Sequence, residues 1–577
     1  MPPPADQNAA RAPAASPVAR LWSVRRIRFH IARRSLLGLV LGTIFLAASL
    51  TPSLAPRPPV LLGLLGGTSF AMGYLLSLAL IHVWHYMGLP VRRVPPRATQ
   101  VILILCAILA AAYLWLSINW QNDVRVVLHM QPLSHWQLIS TCIVALVSFA
   151  VLFALGLLAR TLFRRLTLWL DRYLPRRVAI PLGVLIVALL FWSMITGIVF
   201  KAGLHLADAS FSELDSLIEP DLAPPTAPLQ VGSADSLITW EELGRQGRQY
   251  IASGPSQNQI ALFTGAPASQ PIRVYAGLNS ARNVDERANL ALAELKRVGG
   301  FNKSILVVIA PTGTGWIDSA AIDSLEYLQH GDVASVAIQY SYLASWLSLL
   351  VEPNYGSDSA RAMFRKVYDY WKTLPREHRP RLYLYGLSLG ALSSESSLDL
   401  FDMINDPIQG ALWAGPPFPS PLWQSTTRNR QPDSPSWLPR FRDSSVVRFT
   451  NQQDHLTIPG ASWSRMRIVY LQYGSDPITF FTPSSFYRQP EWMIGKRAPD
   501  VSPTFRWVPG VTFLQLSVDM ITGMETPPGF GHVFAADDYV NAWVAVTQPA
   551  GWNEASLQRL SQDLNARQRP DQTQAQP

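Results

Sequence analysis

Ser388 stands between two glycines two residues away, in Tyr385-Gly386-Leu387-Ser388-Leu389-Gly390. A serine flanked in this way suits a tight strand-to-helix turn that exposes its hydroxyl at the end of a sheet. The hydroxyl is a weak nucleophile near neutral pH. It needs a base beside it, and the base needs a carboxylate to orient it. Two histidines follow Ser388 in the chain, His455 and His532. His532 lies in the Gly-rich "PPGFGH" loop ahead of an amphipathic run, a placement that suits a base reaching in from another part of the fold. His455, in "NQQDHLTIPG", stands close behind a strand and is the alternative. For the acid, Asp476 in "YGSDPI" follows a strand directly, and Asp454 follows another; either could orient His532. Asp519, Asp537 and Asp538 are assigned to solvated helix faces. The chemistry this set implies is acyl transfer through a covalent ester on Ser388.

Such chemistry also needs two N–H donors for the tetrahedral oxyanion. Leu389, the residue after the nucleophile, supplies one. The second is expected from the "APTGTGW" loop at 310–316, with Thr312 or Gly313 as the candidate. The same loop could be read as a phosphate cradle, but it lacks the Lys-Ser/Thr ending of a P-loop.

Positioning these residues requires strands and helices in alternation. Strands are expected in "PIRVYAG" (271–277), "SILVVIA" (304–310), "VASVAIQ" (333–339), "RLYLYG" (381–386), "IQGALWAG", "SSVVRFTN" and "RMRIVYLQYG". Helical periodicity runs through 284–299 and 359–375, and a helix opens after Ser388. This alternation predicts an α/β domain with a mostly parallel sheet and helices on both faces, over 236–548. Residues 201–235 read as a stalk or linker ending in the Pro-rich "EPDLAPPTAPLQ". The Gln-rich segment 549–577 is expected to be a disordered tail. The aromatic stretches "YSYLASWLSLLVEPNY" and "FFTPSSFYRQPEWM" fit either a lid or ordinary packing.

The first third has another texture. Five apolar runs, near 35–53, 60–84, 100–118, 138–158 and 178–200, are long enough to cross a bilayer, which takes about 20 residues as helix. Their interiors carry no Asp, Glu, Lys or Arg, and Trp84, Tyr86, Trp115, Trp120, Trp136 and Trp192 stand near their ends, as at membrane interfaces. A transmembrane helical domain is therefore expected over 35–200, after a basic cytoplasmic arm at 1–34. The spacings Gly38-x-x-x-Gly42 and Gly63-x-x-x-Gly67 allow close helix packing, within the chain or in a homo-oligomer. The bare interiors favour a packed anchor over a transport pathway.

Arginine sets the orientation. Seven arginines precede the first run, three fall at 92–97 and six at 160–177, while the first and third connections hold one each, Arg57 and Arg125. The positive-inside rule then puts the N-terminus in the cytoplasm and everything after about residue 200 on the outer face. Ser53-Leu54-Ala55 resembles a signal-peptide cleavage site, but Pro56 and the long preceding arm argue against that reading.

Residues 1–200 carry +15 and residues 201–577 carry −6, so the net +9 belongs to the apolar third. A nucleic-acid binder needs its basic face on a soluble domain, and that class is excluded. The two cysteines, Cys106 and Cys142, both lie in apolar runs and leave the remainder of the chain no disulfide framework or cysteine-based metal site.

Taken together, the membrane runs, "PTGTGW", "GLSLG", "SDPI" and "GFGH" resemble a bacterial membrane-anchored α/β-hydrolase family over about residues 30–548. That family joins an N-terminal transmembrane domain to a C-terminal α/β-hydrolase catalytic domain. The resemblance implies a serine hydrolase with Ser388, Asp476 and His532 as the triad; joined to the arginine pattern, the expectation is an enzyme of the inner membrane with its catalytic domain periplasmic or extracytoplasmic. The acyl-transfer mechanism implies no metal or organic cofactor. The partners expected are the lipid bilayer and a small-molecule or lipid acyl ester, attacked by an esterase or lipase-like hydrolase or an acyl transferase. The rival is a catalytically silent fold serving as an envelope binding or assembly module.

Overall fold

The computed structural model describes residues 36–568 except 91–93, 195–196, 198–214, 216–218, 220, 344–347, 349–353 and 400–402. The chain divides into two compact units. One holds 58–118 and 134–156 with the first apolar helix; the other holds 157–577 together with two short connections, Pro52–Arg57 and Asn119–Leu133.

Four helices are long and apolar enough to span a membrane: Pro59–Tyr86, Pro96–Val127, His135–Leu170 and Arg176–Ser193. Leu36–Ser49 is a shorter apolar helix, so the described residues give four long spans where the sequence predicts five. The span that includes Leu138–Leu170 carries Arg160, Arg164 and Arg165 within the helix rather than in a connection. At about 1.5 Å per residue its 33 residues are longer than a hydrocarbon layer is thick, so a crossing helix of this length would leave its basic end outside that layer. Both glycine pairs are used within the chain. A Cβ at Gly42 would lie 2.9 Å from the Phe70 ring, and one at Gly67 would lie 2.3 Å from the Ala145 carbonyl oxygen.

In the second unit seven strands form one parallel sheet in the order β1-β3-β2-β4-β5-β7-β6. They are β1 Ile272–Ala276, β2 Ile305–Ala310, β3 Val333–Ile338, β4 Arg381–Leu387, β5 Gly410–Ala414, β6 Val447–Thr450 and β7 Arg467–Leu471. All seven coincide with the runs expected from sequence. β2, β3 and β5 are buried at every residue, which is why they read as continuous apolar runs instead of alternating ones. The helix Val284–Arg297 shows how local sequence sets its ends. The Asn283 side chain accepts from Glu286 N–H, acids fill the first turn, and Lys296 and Arg297 fill the last.

Two expectations fail outside the sheet. The described part of the stalk packs against the α/β domain. Val231 is buried in its core, and Asp215 and Glu219 bond Arg245 and Arg248. The segment after 549 holds the helix Glu554–Gln568, with Leu560 and Leu564 buried. Its Asn565 and Gln568 side chains accept from Ala536 N–H at 3.1 and 3.0 Å. They cap the helix Ala536–Thr547, whose own N-cap, Ala535, has no side-chain oxygen.

Candidate active site

The carboxyl ends of the central strands lie level: Ala310 pairs with Gly386, Leu387 with Ala414, and Ala414 with Leu471. In parallel sheets the loops leaving these ends build the binding crevice. Here they carry the 311–316 turn, Ser388, Gly415 and Asp476.

Ser388 has φ 57° and ψ −126°. A side chain in this sparsely populated region costs about 1–3 kcal/mol and is held by its surroundings. Both glycines are required by close approach. A Cβ at Gly386 would sit 2.3 Å from Gly390 O, and one at Gly390 would sit 2.1 Å from Ala310 O. The chain thus folds back over the end of β2 as it enters the helix Leu389–Ser396. Ser388 N–H donates to Ala414 O at 2.9 Å, one rung beyond the β4–β5 ladder.

The next residue, Gly415, has φ +52°, and a Cβ there would lie 2.6 Å from His532 Cε1. His532 therefore lies against the β5 end that holds the Ser388 backbone. His532 is 2 % exposed and Asp476 fully buried. His532 Nδ1 lies 2.7 Å from Asp476 Oδ2. A carboxylate only accepts, so the ring carries its proton on Nδ1 and presents Nε2 as the acceptor. Nε2 is buried with no hydrogen-bond partner among the described residues.

Asp476 is held by the short helix it caps. Its Oδ1 accepts from Ile478 N–H at 2.8 Å and Thr479 N–H at 3.3 Å, and its Oδ2 from the Thr479 hydroxyl at 3.0 Å. The histidine loop is pinned by residues the sequence did not single out. Gly531 N–H donates to Ser475 Oγ at 2.9 Å, and His532 N–H to Gly523 O at 2.9 Å. Ser475 N–H donates to Asp500 Oδ2 at 2.8 Å. Ser475 adjoins the acid in "SDPI", which is the signal that could have found it; Asp500 and Gly523 carry no such signal.

The alternatives lie elsewhere. Asp454 is exposed and accepts from Leu456 N–H at 2.8 Å, a local turn. Its loop reaches the histidine segment through Gln452, whose Nε2 donates to Asp500 Oδ2 at 2.9 Å and Gly529 O at 3.0 Å. His455 is half-buried, with burial lowering its pKa. Asp519 and Asp538 do not solvate helix faces as expected. Asp519 is fully buried and bonded to Arg57. Asp538 is buried beneath the Tyr473 hydroxyl, and burial raises its pKa to about 8. Asp537 is half-buried.

Leu389 is the first residue of the helix Leu389–Ser396, so its N–H has no intrahelical acceptor. Thr312 is corrected: its N–H donates to Trp316 O at 3.0 Å and closes the turn. Gly313 follows it in the same turn, which Tyr275 OH holds at Gly315 O (2.9 Å) and Gln339 at Thr314 O (3.1 Å). Of the two aromatic stretches, 344–347 and 349–353 fall outside the described residues. The other is partly core: Trp492 Nε1 donates to Phe480 O at 2.9 Å, and both side chains are buried. Phe486 and Tyr487 are exposed.

Among the described residues no cluster of three or more His, Cys, Asp or Glu is placed to hold a metal ion. A cavity of about 510 Å³ lies among Arg428, Arg430, Pro432, Arg488, Glu491 and Ile494, and includes none of Ser388, Asp476 and His532.

A family model described as the alpha/beta-hydrolase family matches residues 272–560. The chain belongs to the α/β-hydrolase family. A second model, for that family's N-terminus, matches residues 50–255. The described part of the stalk thus falls within the matched N-terminal region, and the hydrolase match ends at residue 560, inside the helix Glu554–Gln568. No curated protein and no solved structure matches the chain.

Proposed function

We propose that this α/β-hydrolase is a membrane-held serine hydrolase acting on a carboxylic ester. The observation that carries the reading is the 2.7 Å His532–Asp476 pair, whose ring lies against Gly415, the residue after the Ala414 that holds the Ser388 N–H, with Nε2 left without a hydrogen-bond partner among the described residues. His532 Nε2 takes the Ser388 proton as Oγ attacks the ester carbonyl carbon. Asp476 holds the Nδ1–H tautomer and stabilises the imidazolium that forms. The N–H of Leu389 receives the oxyanion, with a second donor from the 310–316 loop. Collapse breaks the bond to the alcohol, which leaves with the proton from Nε2. Water, or a second hydroxyl compound in an acyl transfer, then attacks the acyl-serine by the same steps.

The reading extends to place. The connections poor in arginine bond residues of the hydrolase region: Arg57 with Asp519, and His129 packed edge-on to Phe530 at 5.6 Å. That supports a common side for both connections and the catalytic domain, and with the positive-inside rule the outer face of a bacterial inner membrane. A substrate with an acyl chain suits such a tether.

A fluorophosphonate probe on the full chain in detergent tests the function. Wild type should label covalently and Ser388→Ala should not. Absence of wild-type labelling, or equal labelling of the variant, would leave the silent binding-module reading in its place.

A further inference from the structure

The Asp519 carboxylate is fully buried and gathers three donors from one connection between apolar helices. Ser53 Oγ and Arg57 Nε donate to its Oδ1 at 2.9 and 2.8 Å, and Leu54 N–H to its Oδ2 at 3.1 Å. Arg57 is also fully buried. Its guanidinium bonds Ser53 Oγ as well, and its backbone N–H donates to Gln121 Oε1 at 2.8 Å. Arg57 and Gln121 come from the first and third connections, so this one carboxylate ties both to the hydrolase region.

Asp519 sits near the end of the helix Val511–Thr522. One turn on, Gly523 O accepts the His532 N–H at 2.9 Å and the Thr526 hydroxyl at 3.1 Å. A Cβ at Gly523 would lie 2.7 Å from Pro477, the residue after Asp476. The end of this helix therefore touches the segments that carry both the acid and the base. His129, packed on Phe530, reaches the same histidine loop from the third connection.

We infer that Arg57 is a positioning residue for His532: through Asp519 and the helix end at Gly523 it fixes the height and tilt of the imidazole. The connection Pro52–Arg57 then acts as a support of the catalytic apparatus. A buried charge pair whose carboxylate is also held by Ser53 Oγ and Leu54 N–H has few alternative arrangements, so its register passes to the backbone carbonyl that holds the histidine. The inference rests on the proposed hydrolase function.

The test uses the full chain in detergent, with p-nitrophenyl butyrate hydrolysis expressed per fluorophosphonate-labelled serine, and melting followed in parallel. Arg57→Gln and Asp519→Asn should lower kcat per labelled site by about 2- to 30-fold with KM nearly unchanged, the scale of coupling through packed networks. They should also displace the limb of the pH–kcat profile that His532 sets. Arg57→Lys, which keeps the charge, should recover part of both. Ser53→Ala removes one donor and leaves the ion pair; it decides the matter should the charge variants fail to fold, and should lower kcat about 2- to 5-fold. Unchanged kcat per site and pH profile, with only a lower Tm, would reduce Arg57 to a structural role and overturn the inference. A wild type that does not label would instead refute the hydrolase function itself.

Discussion

The two halves of the site are built by different means. The Ser388 half is local. One strand, two glycines and the first turn of a helix, all within Arg381–Ser396, place the hydroxyl, and the nearest outside support is Ala310 and Ala414 at the adjacent strand ends. The Asp476–His532 half is assembled across 56 residues of chain. It draws on Ser475, Asp500, Gln452, Gly523 and, one helical turn away, the Arg57 connection. A nucleophile must sit at one point and can be placed by backbone geometry. A base that moves a proton must hold a ring orientation, and that takes restraints from several directions.

Deleting one member from each half would show whether the halves act as a unit. Ser388→Ala and His532→Ala should each lower kcat by about 10⁶-fold, and the double variant little more, because such residues are grossly non-additive. Steady-state ester hydrolysis checks this, and additive losses would break the pairing. Asp476→Asn probes the long-range half alone. Asparagine still accepts from Ile478 and Thr479, so the cap persists. The imidazole loses its tautomer restraint, and kcat should fall about 10³- to 10⁴-fold at little change in Tm.

Each half also carries a buried carboxyl. Burial raises Glu395, on the elbow helix, to about 7, and Asp538, on the helix after the histidine loop, to about 8. Such groups bind more protons folded than unfolded. Stability should therefore fall as the pH rises from the ordinary carboxylate range through 7 to 8, then level off. Glu395→Gln should remove roughly 3 kcal/mol of that fall below pH 7, read from denaturant melts across pH. Gly390→Ala, which drives a Cβ into Ala310 O, should cost about 1–3 kcal/mol and slow labelling of Ser388. Asp454→Asn should change ester hydrolysis and stability least, within about 0.5 kcal/mol, as an exposed turn residue.

What was legible follows the same division. The seven strands were visible because buried parallel strands are unbroken apolar runs, and the elbow because its glycines stand two residues on either side of Ser388. The pairing of His532 with Asp476 rather than Asp454 was not, since both acids follow strands. The sheet order decides it: Asp476 leaves β7, which lies beside β5, whereas Asp454 leaves the edge strand β6. Asp519 was misread because an acid at a helical position has the same sequence texture whether it meets water or a buried arginine. The helix Glu554–Gln568 did have a signal, Leu557, Leu560 and Leu564 at helical spacing, beneath its polar composition.

By itself the sequence determined the apolar segments, the strands and helices, and the residue types able to do acyl chemistry, because each depends on periodicity or spacing within one element. Only the tertiary structure decided which acid meets His532, that Thr312 spends its N–H on a turn, and that Arg57 lies buried against Asp519. Those depend on which distant segments become neighbours, and the energy of a buried polar group is set by the partner it finds there.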